Sequence, residues 1–316
     1  MESEHVSIYE TVTRSIVSEL EKGAVPWVKP WKSGVSPCPR NAVSQRSYRG
    51  VNILLLWSAA LQRGYTNPVW LTFKQARELK GFVRKGEHGT RIIYTSTVKK
   101  AAVSEAGEEA ARDLYFLKWY SVFNIEQTEG LPQHLREQAP HRPSGDDLEH
   151  VEAFVRSIGA DVRHGGNDAA YNPEGDFIKL PHPTYFESTT TYYATSLHEH
   201  AHWSGHPKRL NRDLSGRFRT RSYAAEELIA ELAAAFLCSA LEIQGELRHA
   251  GYIQSWLELL ENDKKAIFTA ASAASRAADY LRQLGAHGEW IREYEEAEPV
   301  AVEGVSTVGR MSHTRR

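Results

Sequence analysis

The sequence predicts an α+β chain of two domains: a small α+β domain over residues 1–128 and a mainly helical domain with a short sheet over 148–290. Three observations lead there. At 316 residues, with 41% hydrophobic and 25% charged residues, the chain is long for one compact domain and comfortable for two. Residues 129–147 carry three prolines and no apolar periodicity, as a connecting segment would. Charge also divides the chain. Lys22 to Lys100 holds 15 basic residues against only Glu78 and Glu87, so the remainder is strongly acidic although the whole carries −2.

Each element has its own signal. Residues 5–22 place Ile8, Val12, Ile16 and Leu20 at helical spacing ahead of Gly23, giving an amphipathic helix. Residues 24–50, with Pro26, Pro30, Pro37 and Pro39, read as extended loop. Val51 to Arg63 is apolar enough for a buried helix closed by Gly64, and Thr72 to Leu79 reads as a short helix capped by Thr72. Arg91 to Val98 and Leu114 to Asn124 are rich in β-branched and aromatic residues and read as strands, with a loop around 104–111.

Beyond the connecting segment, 148–158 reads as a helix, and 160–164 and 176–180 as short strands. A helix over 189–204 stops at Gly205 and Pro207. A long helix over 222–241 takes Ser222 as its N-cap, with Glu226 and Glu227 near its first turn. Two further helices fill 250–284, and 291–316 reads as a frayed tail. Met1 to His5 lacks the basic flank and apolar stretch of a secretory signal, and no apolar run approaches ~18 residues. Cys38 and Cys238 form no paired motif. A reduced, cytoplasmic protein with no membrane partner is expected.

The most specific chemistry lies at His198-Glu199-His200-Ala201-His202, an H-E-x-x-H pattern inside the 189–204 helix. Residues four apart share one helical face, so His198 and His202 can grip one metal ion while Glu199 acts as general base on metal-bound water. His200 points off that face. A third histidine six residues after His202 is ruled out, because Lys208 stands there and His206 comes two residues early. A glutamate from the next helix is the alternative. Glu227 is assigned as third ligand and Glu231, four residues on, as the carboxylate that orients a histidine; spacing leaves open an exchange of these roles, or the use of Glu226. Two imidazoles and a carboxylate suit Zn²⁺ and a metal-dependent hydrolase.

In the basic half, aromatic and cationic residues interleave: Trp27, Lys29, Trp31, Lys32, Arg46, Tyr48, Arg49, Lys74, Arg84, Lys85 and Arg91. Cations track a phosphate backbone and rings stack on unpaired bases, so these residues predict binding of single-stranded nucleic acid with little sequence preference. No base-reading motif accompanies them.

These residues carry a resemblance. Pro26-Trp27-x-x-Pro30-Trp31, Tyr48-Arg49-Gly50-Val51-Asn52, Trp70-Leu71-Thr72-Phe73-x-Gln75-Ala76 and Val83-Arg84-Lys85-Gly86-Glu87-x-Gly89-Thr90 resemble the single-stranded-DNA-binding domain of ArdC-type antirestriction proteins. Tyr171, Asp176, Pro181, Phe186, the His198 to His206 run, Arg209-Leu210 and Glu226-Glu227-Leu228 resemble the zincin-like metallopeptidase domain fused to it. The likeness spans roughly residues 5–285 and departs at His200, where leucine is usual. It implies a plasmid- or phage-borne protein that protects incoming DNA from restriction; single-stranded DNA is the expected ligand with duplex DNA left open, an unidentified protein the expected substrate, and Zn²⁺ the expected ion with Mn²⁺ and Co²⁺ left open. Two rivals stand beside it: a non-catalytic DNA-binding protein whose metal is structural, and a plasmid replication or primase accessory factor.

Overall fold

In a computed structural model of the chain, the described residues are 7–23, 25, 27, 38–103, 109–136, 148–214, 220–243 and 252–285. Helix α1 (Ile8–Glu21) begins where the Ser7 hydroxyl accepts from the Glu10 amide, and it buries the expected stripe of Val12, Ile16 and Leu20. Burying each such side chain contributes about 1.5–3 kcal/mol. Strand β1 (Arg40–Asn41) and helix α2 (Val51–Arg63) follow, the helix closed by Gly64 in the left-handed conformation that favours glycine. Then come β2 (Val69–Leu71), α3 (Phe73–Glu78), β3 (Phe82–Val83), β4 (Thr90–Val103), β5 (Glu109–Asn124) and β6 (Thr128–Glu129). A reciprocal Thr72–Gln75 capping box starts α3.

The first domain is built on a four-stranded sheet in the order β1-β2-β5-β4, with β3 and β6 paired separately. Strand β2 meets β5 only through Trp70 and Leu71, while β4 and β5 pair antiparallel along the whole of β4. The β4–β5 hairpin therefore leaves the sheet as a two-stranded ribbon. The expected strands were each shorter than these, and residues 109–111, expected in a loop, lie in β5.

The second domain runs α4 (Glu149–Ile158), β7 (Asp161–His164), β8 (Ala170–Asn172), β9 (Phe177–Leu180), α5 (Thr189–Ser204), α6 (Arg221–Ala240), α7 (Ile253–Asn262) and α8 (Ala266–Gly285). Its sheet has the order β7-β9-β8, with β8 antiparallel at one edge. Helices α6 and α8 pack together, and both bury alanines, Ala230, Ala233 and Ala234 on α6 and Ala270, Ala271, Ala274 and Ala277 on α8, whose small side chains let helices approach closely. Helix α6 starts one residue earlier than expected, because Thr220 rather than Ser222 caps it; Glu226 and Glu227 accordingly sit in its second turn.

The main core is continuous across both domains. Trp27 packs its ring 5.7 Å from Trp256, and Trp57 lies 5.8 Å from Phe236. Thr13 Oγ1 donates to the Lys264 carbonyl at 2.8 Å, the Gly50 amide donates to Ser275 Oγ at 2.9 Å, and Arg49 pairs with Asp279. Helices α1 and α2 thus bury against α7 and α8 the apolar faces that their own sheet leaves bare. Residues 129–136, expected in the connecting segment, instead belong to the first domain: Leu131 and Leu135 are buried with Val69, Leu71 and Ile125. The expected tail lies outside the described residues. No helix among the described residues is long and apolar enough to cross a membrane.

Candidate metal centre

The site forms where α5 crosses α6. Helix α5 is capped by Ser188, whose hydroxyl accepts from the Thr191 amide, and it turns its Leu197 and Ala201 face into the core. One turn apart on another face, His198 and His202 bring their Nε2 atoms to 3.1 Å. Glu227 on α6 completes the group, with one carboxylate oxygen 3.5 Å from each Nε2. The three side chains offer ligand atoms within 4.8 Å of one another.

Behind the rings, each Nδ1 faces a different carboxylate: Glu231 at 3.5 Å from His198, and Glu226 at 3.2 Å from His202. An imidazole that donates from Nδ1 keeps its lone pair on Nε2. Two lone pairs 3.1 Å apart need a proton or a metal ion between them, and with the Glu227 carboxylate beside both the donor set fits a divalent metal. Of the three glutamates that spacing offered, Glu227 lies against both Nε2 atoms, Glu231 against His198 Nδ1, and Glu226, left open as an alternative ligand, against His202 Nδ1.

The electrostatics are those of a buried charge cluster. Burial pushes the His202 imidazole down, but hydrogen bonds to Glu226 and Glu227 outweigh it and raise its pKa to about 9. His198 is likewise lifted well above the ordinary range by Glu227 and Glu231 against the cost of burial. Burial would raise Glu227 as well, yet the two imidazoles hold it far below the usual carboxylate range. Glu199 is buried, adds its negative charge to the field at His198, and accepts no hydrogen bond among the described residues. Tyr223 and Tyr252 place their hydroxyls 3.3 Å apart next to this cluster.

Arg212, which sequence reasoning missed, holds the outer side. Its guanidinium donates to Glu226 at 2.7 and 3.0 Å, to the Ala201 carbonyl at 2.6 Å and to Ser204 Oγ at 3.0 Å. It therefore neutralises Glu226 and caps the end of α5 in one contact. A Cβ at Gly205 would stand 2.8 Å from that guanidinium, so the glycine expected only as a helix stop also makes room for the arginine. A second arginine, Arg209, stacks 3.7 Å over Trp203 and pairs with Asp176, which also accepts from the Tyr171 hydroxyl at 2.9 Å. This ties the segment after α5 to the β8–β9 turn.

His200 is fully buried, with Nδ1 2.7 Å from the Ser196 carbonyl, and burial drives its pKa down to about 4. It lies off the metal group, as does His206 beside Asp176.

The residues expected to bind nucleic acid are not one surface. Trp27 is 6% exposed, so its indole cannot stack on a base without leaving the core. Tyr48 is half-buried, its hydroxyl beside Asn41. Lys74, Arg84, Lys85 and Arg91 are exposed, with Arg84 paired to Glu87. Arg49 is exposed but pairs with Asp279, and Arg46 is half-buried. Lys29, Trp31 and Lys32 lie outside the described residues.

Comparison with known proteins gives the context. Residues 6–123 match the N-terminal domain of anti-restriction factor ArdC, and residues 149–273 match a zincin-like metallopeptidase family. The uncharacterised protein y4eC of Sinorhizobium fredii is 42% identical over 283 residues, 87% of this chain and 91% of that protein. A DNA primase TraC of Escherichia coli is 36% identical over 86% of this chain, which spans only 27% of the primase. Two crystal structures of antirestriction protein ArdC from plasmid R388 superpose closely. The metal-free form has a TM-score of 0.76 at 38% identity, covering 90% of this chain and 99% of that one. The Mn(II)-bound form has a TM-score of 0.74 at 37% identity, covering 90% and 100%. The chain belongs to the ArdC family of antirestriction proteins, with an ArdC N-terminal domain joined to a zincin-like metallopeptidase domain.

Proposed function

We propose that the chain binds single-stranded DNA and carries a metal-dependent peptidase centre, serving to protect incoming plasmid or phage DNA. The observation that carries the catalytic part is the convergence of His198 Nε2, His202 Nε2 and Glu227, each imidazole backed by a carboxylate. His198, His202 and Glu227 are the ligands in this reading, and Glu231 and Glu226 orient the rings. The donors favour Zn²⁺, with Mn²⁺ and Co²⁺ as alternatives on the same set; the Mn(II)-bound relative supports a divalent ion. An ion held by His198, His202 and Glu227 would supply Lewis acidity, making water a better nucleophile and polarising a substrate carbonyl.

The rest falls to the protein's own groups. Glu199 accepts the water proton on its carboxylate and returns it to the leaving amine. Strand β8, at the sheet edge and in contact with α5, offers backbone donors and acceptors to an extended peptide beside the motif helix.

Glu199→Gln keeps the shape and removes the base. The variant is expected to bind metal and single-stranded DNA like the wild type while losing proteolysis. Retained cleavage of a susceptible protein would overturn the role of Glu199. A second reading is favoured by the continuous core: an ion at the α5–α6 crossing would then brace a DNA-binding protein and do no chemistry. Full DNA protection by Glu199→Gln, with no cleavage by the wild type, supports that alternative. The likeness to antirestriction protein ArdC from plasmid R388 supports a plasmid setting.

A further inference from the structure

We propose that Tyr94 and Tyr120, at the root of the β4–β5 ribbon, form the base-stacking platform for single-stranded DNA, with Lys118 as an adjoining phosphate contact. This rests on the single-stranded-DNA reading above and gives it a surface.

The register places Ile92 opposite Tyr120 and Tyr94 opposite Lys118, so the two tyrosines are diagonal neighbours on one face of the ribbon. Their ring centroids lie 5.5 Å apart, and the two residues are 51% and 47% exposed. The same face is anchored at its inner end, where Ile92 and Val122 are buried against Trp70 and Leu56. The platform is therefore held by a packed core yet open outward. Rings that merely plugged the core would be covered, and these are not.

Charge selects the occupant. Lys118 is exposed and lies directly opposite Tyr94 on the same face, and the Lys22 to Lys100 segment that supplies Tyr94 holds 15 basic residues against two acidic ones. An anionic polymer is attracted there, whereas an apolar protein face would have to desolvate those cations. Ring geometry selects the form of the polymer. At 65° to one another, the rings cannot both lie parallel to the bases of a continuous helical stack. They can each take one of two splayed, unpaired bases. This surface also replaces Trp27, whose ring is committed to the interior, and Tyr48, half-buried against the same core.

The test is fluorescence anisotropy of the full-length protein with a labelled oligothymidylate of about 20 nucleotides, titrated at several salt concentrations. Tyr94→Ala or Tyr120→Ala is expected to weaken binding roughly 5- to 150-fold, while Tyr94→Phe and Tyr120→Phe bind like the wild type. Lys118→Ala is expected to flatten the salt slope by about 0.7. Circular dichroism and metal binding report on folding; should an alanine variant fail there, Tyr94→Leu and Tyr120→Leu keep the bulk without a π face and are expected to show the same loss. A double alanine variant that binds as tightly as the wild type overturns the platform and leaves the single-strand reading standing. Equal competition by duplex DNA of the same length overturns stacking. No binding by the wild type sinks both.

Discussion

Replacing Glu226 by glutamine isolates what an orienting carboxylate does for the metal. The wild-type carboxylate accepts from His202 Nδ1 at 3.2 Å and is itself held by two Arg212 hydrogen bonds at 2.7 and 3.0 Å. Glutamine can keep the acceptor but loses the charge. Two effects follow, of opposite sign. A less basic Nε2 and a looser ring weaken metal affinity by about 10- to 100-fold. Loss of Glu226 also lowers the His202 pKa from about 9, so less proton competition opposes the ion at neutral pH. With a pKa near 9, competition at about pH 7 costs the wild type up to about 100-fold, one power of ten per pH unit. The variant should therefore bind Zn²⁺ more weakly near about pH 9, with the gap closing toward about pH 7. Chelator-buffered titration across that range measures it. Equal affinities at the alkaline end, or a gap that widens toward acid, would refute the role given to Glu226.

Asp176 gives a stability test away from the ion. The Arg209 guanidinium beside it holds its carboxyl down to about 2 from 3.8, so its stabilisation is complete above about pH 4 and disappears as pH falls toward 2. Asparagine tolerates its backbone φ of 52°, and Asp176→Asn is expected to cost about 1–2 kcal/mol at neutral pH after allowing for solvent screening, falling to about a few tenths of a kcal/mol near pH 2. Denaturant melts at both pH values check this, and a cost independent of pH would contradict it. Trp27→Ala should destabilise the fold by about 3–5 kcal/mol, because its ring fills the core against Trp256. A stable variant with specifically lost DNA affinity would show instead that Trp27 meets bases.

Elements with strong local punctuation were legible in the sequence. Glycine caps bound α2 at Val51–Arg63 and α5 at Thr189–Ser204, and both ends agree with expectation. Strand β2 was not legible, because three buried residues, Val69 to Leu71, carry no period of their own. At the site, the 198–202 spacing gave the two imidazoles, and the i, i+4 relation of Glu227 and Glu231 gave the next two groups. Arg212 was not legible, and Glu226 was legible only as an alternative ligand, because their places come from how the segment after Gly205 folds back over α5. The sharing of one core escaped the sequence for a similar reason. The stripe on α1 announces an apolar face without saying that α7, in the other domain, will cover it. Composition likewise marked Trp27 as aromatic beside basic residues, whereas packing put it inside.

The central claim is that His198, His202 and Glu227 hold one divalent ion while Glu226 and Glu231 stand behind the rings. A crystal structure of the Zn²⁺-loaded protein, with the ion located by anomalous scattering at the zinc edge, tests it most directly. One strong peak is expected about 2.0–2.2 Å from both Nε2 atoms and from a Glu227 oxygen. A peak coordinated by Glu226 or Glu231, or a dominant site elsewhere on the chain, would contradict it.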